Sequence, residues 1–441
     1  MSMNITFCGG VGSVTGANFL LELNDKKILV DCGLIQGENT DQNREDFGYD
    51  PRDIDMLFIT HAHLDHVGRI PKLVKEGFSG TIYSTPETRS LAELILEDAV
   101  GLLKKEADRE GLEPLYEIED IKKAFTLWKT FPYHKNTDFG GFSVYLKDAG
   151  HILGSSIIEF DRQNKKIVFT GDLGNTPTPL LRNTESIEGA DYVIMESVYG
   201  DRNHESKEER RGKLDAIIKD TISKKGTLII PAFSLERTQV MLYEMSKLEL
   251  KVPVFVDSPL AIKVTDIYKA STHLFNEKAK ADGDKLFDFP RLSFTVSADD
   301  SMSIDHAVSP KIIIAGSGMS VGGRVIHHEE IYLADQKNAI LLVGYQTPGT
   351  IGRQLLNGAK EVNIHGNIIK VKAKIESILG YSSHKDSDHL LEFISVTEKT
   401  VKKVFVVMGE PKSSVFLAQK IKDNLGIKTV CPERLKKYSL D

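Results

Sequence analysis

Cysteine is scarce: Cys8, Cys32 and Cys431 make up the chain's 3, far apart and odd in number, which argues against a disulfide framework and fits a reducing compartment. Excess positive charge is missing too. Against 56 Lys and Arg stand 63 Asp and Glu, a formal net charge of -7, so no basic sheath announces a nucleic acid and any polyanion site must be local. No apolar run approaches the roughly 18 residues of a membrane span, and the opening MSMNITFCGG lacks a charged leader ahead of an apolar segment. Repeats and low-complexity tracts are also wanting. Together these absences predict a soluble, cytoplasmic protein with no membrane partner. What is present is length: 441 residues are enough for about two to three domains with sizeable cores.

Three regimes follow one another. Up to about Tyr199, short apolar strands such as NFLLEL, KILVD, SVYL, SIIEF and KIVFTGD alternate with turns, interrupted by the helical stretch PETRSLAELILEDAVGLLKKEADREG. This is mixed α/β with antiparallel character. From Asp201, a charged helix with a solvated face, TLIIPAF, the helix ERTQVMLYEMSKLE and VPVFVD give the alternation of a parallel open sheet. From about Asn363 short strands return, ending with KVFVVMGE and a last helix SSVFLAQKIKDNLG.

The densest chemistry lies in THAHLDHVG, where His61, His63, Asp65 and His66 fall within six positions. The apolar run Met56–Ile59 just upstream is too short for a helix and fits a buried strand, so the cluster sits in the turn leaving it. On a continuing strand His61, His63 and Asp65 would share one face and His66 the other; a turn lets all four converge. Imidazole nitrogen and carboxylate oxygen suit zinc, and four such groups exceed the three protein ligands of an ordinary catalytic zinc, which hints at two metals. A polar loop capping a strand explains a lone histidine but not this density. Four more polar residues follow apolar strands and have small neighbours: Asp31 after KILV, His151 in DAGHILGSS, Asp172 in VFTGDLGN and His384 in GYSSHKDSDH. Each alone reads as a turn residue. Jointly, beside the first cluster, they read as the rest of a metal site.

Two glycine-rich stretches suit phosphate. GSGMSVGGRV offers unhindered backbone N–H groups and the Ser317 and Ser320 hydroxyls leading to Arg324 at a helix start; TPGTIGR repeats the idea with Thr350 and Arg353. Either alone could be a tight turn. GGVGSVTG near the N-terminus lacks the lysine of a P-loop and reads as a strand connection.

Taken together, HAHLDH, MESVYGDR, PAFSLERTQ, DSPLAI, GSGMSVGGRVIHH, GYQTPGTIGRQLLNGAKEV and YSSHKD resemble the metallo-β-lactamase-fold hydrolases of the β-CASP family, nucleases related to the pre-mRNA 3′-end cleavage endonuclease. More than two hundred residues separate Asp172 from His384, which ordinary metallo-β-lactamase hydrolases do not insert there. The resemblance implies an α/β fold: a metallo-β-lactamase αββα sandwich formed by residues 1–200 and 363–441, with a β-CASP α/β insert carrying a parallel sheet over 201–362. It implies that His61, His63 and His151 hold one Zn2+, that Asp65 and His66 hold a second, that Asp172 bridges them and that Asp31 supports the ligands from outside. Glu196 would orient the site, and His384 would stand at the scissile phosphate.

The implied reaction is hydrolysis of phosphodiester bonds in single-stranded RNA by a metal-activated hydroxide, with the strand in an interdomain groove. Asp65 would orient the water and His384 would serve the leaving oxygen. A homodimer is compatible with this, and endo- and exonucleolytic modes both stay open. RNA rather than DNA rests on the resemblance alone. A pseudo-enzyme that binds RNA would be expected to have lost histidines, which are intact here, and a small-molecule hydrolase would not need the insert. One departure stands out: RNA-processing members carry a zinc-binding histidine where this chain has Met408, in VFVVMGE. A thioether is a poor zinc ligand. The second zinc is therefore expected to bind more weakly, and DNA cleavage becomes the main alternative, because DNA-processing members also lack that histidine.

Overall fold

The computed structural model describes residues 3–23 and 25–440. Contacts divide the chain into two units. The first comprises the chain through Thr176, Arg182–Asn203 and everything from His384 on; the second comprises Pro177–Leu181 and His204–Ser383.

The first unit holds two seven-stranded sheets. One runs in the order Lys437–Ser439, Met3–Phe7, Phe19–Leu23, Lys26–Val30, Met56–Phe58, Thr81–Ser84, Trp128–Thr130. It is antiparallel as far as Lys26–Val30 and parallel beyond. The other runs Thr429–Val430, Lys403–Val407, Tyr192–Glu196, Lys165–Phe169, Ser156–Arg162, Ser143–Asp148, Thr137–Asp138. Alternation in the strands assigns the faces: Ile5, Leu21, Val30 and Phe58 of one sheet meet Val144, Phe160, Phe169 and Phe405 of the other in a single core. The opposite face of the second sheet, with Ile157, Val168 and Val193, is covered by Leu390 and Phe393 of helix Ser387–Ser395 and Leu417 of helix Pro411–Leu425. Helix Pro86–Glu110 begins and ends where its sequence dictates. The Thr85 hydroxyl accepts from the Thr88 N–H, Pro86 occupies the first turn, and Gly111 takes φ 68° after the last turn. Helices on both outer faces of a double sheet make the expected αββα sandwich.

The second unit is an all-parallel sheet in the order Leu292–Phe294, Val254–Asp257, Lys311–Ala315, Thr227–Pro231, Ala339–Leu342, Lys374–Ser377. TLIIP, KIIIA and AILL are buried at every position, which is the composition a sheet covered on both faces demands. The change of unit falls at 383 rather than at the expected 362, because Lys374–Ser377 pairs in parallel with Ala339–Leu342 and so closes this sheet. A separate two-stranded hairpin joins Glu361–Ile364 to Asn367–Lys370.

Candidate metal centre

Several strands of the first unit deliver polar residues from their carboxyl ends. Asp31 leaves Lys26–Val30 with φ 59°. Its carboxylate accepts from the Thr60 N–H and hydroxyl, each at 2.8 Å, and lies 2.8 Å from His66 Nδ1. Asp31 thus fixes the start of the HAHLDH turn and turns His66 so that Nε2 faces Asp172. Gly33 is needed here because a Cβ would fall 1.5 Å from the Asp65 carbonyl oxygen. His151 rides a tight loop whose N–H groups bond to Ser155 Oγ, and Asp172 follows Gly171 at φ 54°, where a Cβ would strike Thr60.

Three ring nitrogens converge on one carboxylate oxygen. Asp172 Oδ2 lies 3.3 Å from His61 Nε2, 3.5 Å from His151 Nε2 and 3.4 Å from His66 Nε2. His63 Nδ1 is 3.2 Å from His61 Nε2 and 3.1 Å from His151 Nε2. Four ligands at roughly 2.0–2.1 Å from one tetrahedral ion stand about 3.3 Å apart, and these four separations are close to that value; His61, His63, His151 and Asp172 form one group that could hold an ion. Asp65, His66 and Asp172 form a second group, with Asp65 Oδ2 3.8 Å from His66 Nε2. Asp172 belongs to both groups. It also falls in a third group with Glu196 and His384. His384 Nδ1 stands 3.2 Å from Glu196 Oε2, its ring lies tilted with its centroid 4.6 Å from that of His151, and Glu196 accepts from the Leu173 N–H at 2.5 Å.

The charges fit a cation. Burial, reinforced by neighbouring imidazoles, holds His61, His63 and His151 below the ordinary imidazole range, leaving lone pairs for a metal. Burial works against charging His66, yet the carboxylates of Asp172, Asp31 and Asp65 raise it well above that range. Burial likewise opposes ionisation of Asp172, and His66 and His61 overcome it, holding its carboxyl well below the usual range. Burial pushes Asp65 and Glu196 up. His66 Nε2 and Asp172 Oδ1 are buried without a hydrogen-bond partner, a state that buried polar atoms rarely keep unless an ion or water satisfies them. The residues present fit a divalent metal ion.

Met408 leaves Lys403–Val407 with φ 47°. It is buried in the intersheet core, with its sulfur against Gly10, and it borders a small cavity shared with Asp31, Thr60, His66 and Glu196. Thr60 escaped the sequence reading although it touches Asp31 and lies 3.0 Å from His61 Nδ1. A hydroxyl immediately before the histidine motif was the available signal.

In the second unit, Ser317, Ser320 and Arg324 do lie on the loop into helix Arg324–Tyr332, and Thr350 and Arg353 at the start of helix Ile351–Leu356. Their polar atoms are engaged within the unit. Arg324 bonds buried Asp257 at 2.7 Å and the carbonyls of Thr295 and Val296. Ser320, fully buried, bonds Glu329 at 2.5 Å. Thr350 caps its helix through the Arg353 N–H, Arg353 Nε donates to the Gln346 carbonyl at 2.6 Å, and Ser317 Oγ accepts from the Val321 N–H. Gln346 Nε2 donates to the Gly318 carbonyl, tying the two glycine loops together.

An αββα sandwich with paired His/Asp ligand sets at its strand ends defines a metal-dependent hydrolase fold. Family comparison agrees along the chain: residues 13–223 match the metallo-beta-lactamase superfamily, 238–355 the Beta-Casp domain and 368–432 the Zn-dependent metallo-hydrolase RNA specificity domain. The sequence is 33% identical to ribonuclease TTHA0252 of Thermus thermophilus over 95% of both chains. It is 31% identical to transcription termination factor FttA of Pyrococcus horikoshii, covering 98% of this chain and 70% of that one, and 29% identical to RNase aCSPSF2 of Saccharolobus solfataricus, covering 100% and 86%. The chain therefore belongs to the metallo-beta-lactamase superfamily, in the branch that carries a Beta-Casp domain. A crystal structure of a protein of unknown function from Enterococcus faecalis V583 shares the fold over 100% of both chains, with TM-score 0.56 at 13% identity. Among the described residues no helix is long and apolar enough to cross a membrane.

Proposed function

We propose that this protein is a zinc-dependent ribonuclease that hydrolyses phosphodiester bonds of single-stranded RNA. The observation that carries the reading is the intact His/Asp cluster in a chain similar, over 95% of both lengths, to a named ribonuclease. Three imidazoles and a carboxylate in one group suit zinc better than the oxygen-seeking magnesium or calcium. A pair of divalent ions bound there supplies Lewis acidity toward the phosphoryl oxygens and a water acidic enough to attack at neutral pH.

The chain's own residues do the rest. Asp31 and Thr60 hold His66 and His61 in orientation, as outer hydrogen bonds do for metal-ligating histidines. Asp65 directs the attacking water. His384, steadied by Glu196, meets the scissile phosphate and passes a proton to the leaving oxygen. In the second unit, Ser317 and Arg353 contact the strand. Ser320, Arg324 and Thr350 hold the loops that present them.

Met408, where RNA-processing relatives have histidine, leaves the second ion with Asp65, His66 and Asp172, and so more weakly held than the first. The same substitution favours a DNA-directed nuclease as the second reading. Incubating zinc-loaded protein with end-labelled RNA and DNA of one sequence, with and without a chelator, tests both. Chelator-sensitive cleavage of RNA alone is expected. Cleavage of DNA alone would install the second reading, and cleavage of neither would end both.

A further inference from the structure

Lys385 follows His384 directly and is 5% exposed, although lysine is almost never buried so far unless it is paired. It pairs with no carboxylate among the described residues. The carboxylate of neighbouring Asp386 is taken by the N–H and the ring of His389. The ammonium makes one hydrogen bond, to Thr176 Oγ1 at 2.8 Å. Burial pushes the amine down from 10.5 to about 8, against the pull of the Glu196, Glu392 and Asp386 charges. An isolated ammonium out of water detracts from stability, so folding does not account for this one. Its bond to Thr176 ends a short antiparallel contact within the first unit: Gly174 bridges His384, and the Lys385 N–H donates to the Leu173 carbonyl at 2.8 Å. The segment that receives the bond follows Asp172 and is anchored independently. The Leu173 N–H donates to Glu196 and the Gly174 N–H to the Ala149 carbonyl, and a Cβ on Gly174 would fall 2.0 Å from the Gly150 carbonyl oxygen. One side of the contact is therefore a fixed frame, and Lys385 ties the His384 loop to it.

We propose that Lys385 is a positioning residue for hydrolysis: its ammonium, bound to Thr176, fixes the His384 loop against the segment that follows Asp172 and so sets where the His384 ring stands relative to the ligand cluster. This rests on the ribonuclease reading for the role of His384. Lys385 acts through that neighbour and not on the substrate. An apolar side chain of the same length would fill the space but leave the loop free to shift, and a displacement of about 1 Å at a reacting group costs on the order of a hundredfold in rate. The chain keeps a desolvated charge where placement needs it, an exchange of stability for function that active sites commonly make.

The test is a double-mutant cycle of K385M, T176A and K385M/T176A, with T176S as the conservative control, on the whole zinc-loaded chain with a labelled RNA substrate. Methionine keeps the stem and drops the donor. In K385M kcat should fall by roughly 10- to 100-fold with KM unchanged. T176A should lose as much, the double variant no more than either single one, and T176S should stay near wild type. The zinc content of K385M should match wild type, and its melting temperature should be equal or higher, because a desolvated charge has been replaced by an apolar group. A lysine serving only the fold would give a lower melting temperature, with T176S no better than T176A, and that result overturns the proposal. Additive losses overturn it as well. So does a KM that rises at constant kcat, which would make Lys385 a substrate contact. Hydrogen exchange carries the same cycle without catalysis: the amides around His384 and Lys385 should exchange faster in K385M and T176A alike and no faster in the double variant, and unchanged protection counts against the tie. Wild type that cleaves no RNA but shows this exchange pattern sinks only the nuclease; wild type and K385M that cleave RNA equally fast sink only the positioning role.

Discussion

The His/Asp cluster of the first unit and the glycine loops of the second are both sets of polar residues released at strand ends, and they dispose of their polar atoms in opposite ways. In the cluster, three imidazole nitrogens crowd Asp172 Oδ2 at 3.3–3.5 Å, while His66 Nε2 and Asp172 Oδ1 find no hydrogen-bond partner. In the loops, Arg324 is bonded to Asp257, Ser320 to Glu329, Thr350 to the Thr347 carbonyl and Gln346 to the Gly318 carbonyl. Buried polar groups left with only one another ask for a ligand, whereas a closed set of hydrogen bonds is a scaffold. Sequence composition alone does not separate the two.

The sharpest way to break this contrast is to remove a member of each. His61→Ala or Asp172→Ala should lower RNA hydrolysis on the order of a thousandfold or more while the metal-free melting temperature stays within a few degrees, because the sandwich core does not depend on the ligands for its apolar burial. A variant cleaving at the wild-type rate would remove the cluster from the chemistry. Arg324→Ala should do the reverse and lower stability by roughly 3 kcal/mol, since it strips a partner from a fully buried carboxylate. Denaturant titration measures it. An unchanged midpoint with lost RNA binding would make the loop a ligand site like the cluster.

How far this difference was legible depends on its range in the sequence. HAHLDH is local, so its convergence needed only the turn after Met56–Phe58, and the strands that alternate or run apolar were readable from period alone. Helix Pro86–Glu110 carried its own start and stop signals in Thr85, Pro86 and Gly111. The partner of Arg324 lies 67 positions away at Asp257, and nothing local marks such a pair. For the same reason the membership of Lys374–Ser377 was hidden: KIES reads as a short strand in either unit, and only its parallel pairing with Ala339–Leu342 decides. Asp31 at φ 59° is a backbone state that sequence does not announce for a residue other than glycine.

The loop scaffold also holds a titrating group of its own. Burial, only partly offset by the Ser320 hydrogen bond, pushes the Glu329 carboxyl up from 4.5 to about 7. A folded-state value above the unfolded one means that the native state keeps its proton longer. Stability from this group is thus full below about pH 4.5 and is lost as pH rises through about 7. Glu329→Gln keeps a polar partner for Ser320 without the charge. Relative to wild type its melting temperature should rise between pH 5 and pH 8, by an amount equivalent to a few kcal/mol at most. A difference independent of pH would mean that Glu329 is already neutral, or is charged and compensated, throughout.

The smallest effect refines the cluster side of the comparison. If unsatisfied polar atoms mark where ligands bind, the two ligand groups should differ in strength, because four side chains close the first while Asp65, His66 and the shared Asp172 make up the second. Met408 borders the same cavity as His66 yet belongs to the intersheet core, with its sulfur against Gly10. An uncharged thioether offers zinc little. Calorimetric titration of metal-free protein with zinc should therefore show one tight and one looser site. Met408→His should tighten the looser site by about tenfold, of order 1.4 kcal/mol, and raise RNA cleavage at matched free zinc. The imidazole must fit where Gly10 and the core now enclose the methionine, so a melt of the metal-free variant separates a packing fault from a binding gain. Two equally tight zincs in the wild type would show that the second ion finds a further ligand. His384 would then be the first place to look, since its ring already shares Asp172 with both groups and leans on Glu196 through Nδ1.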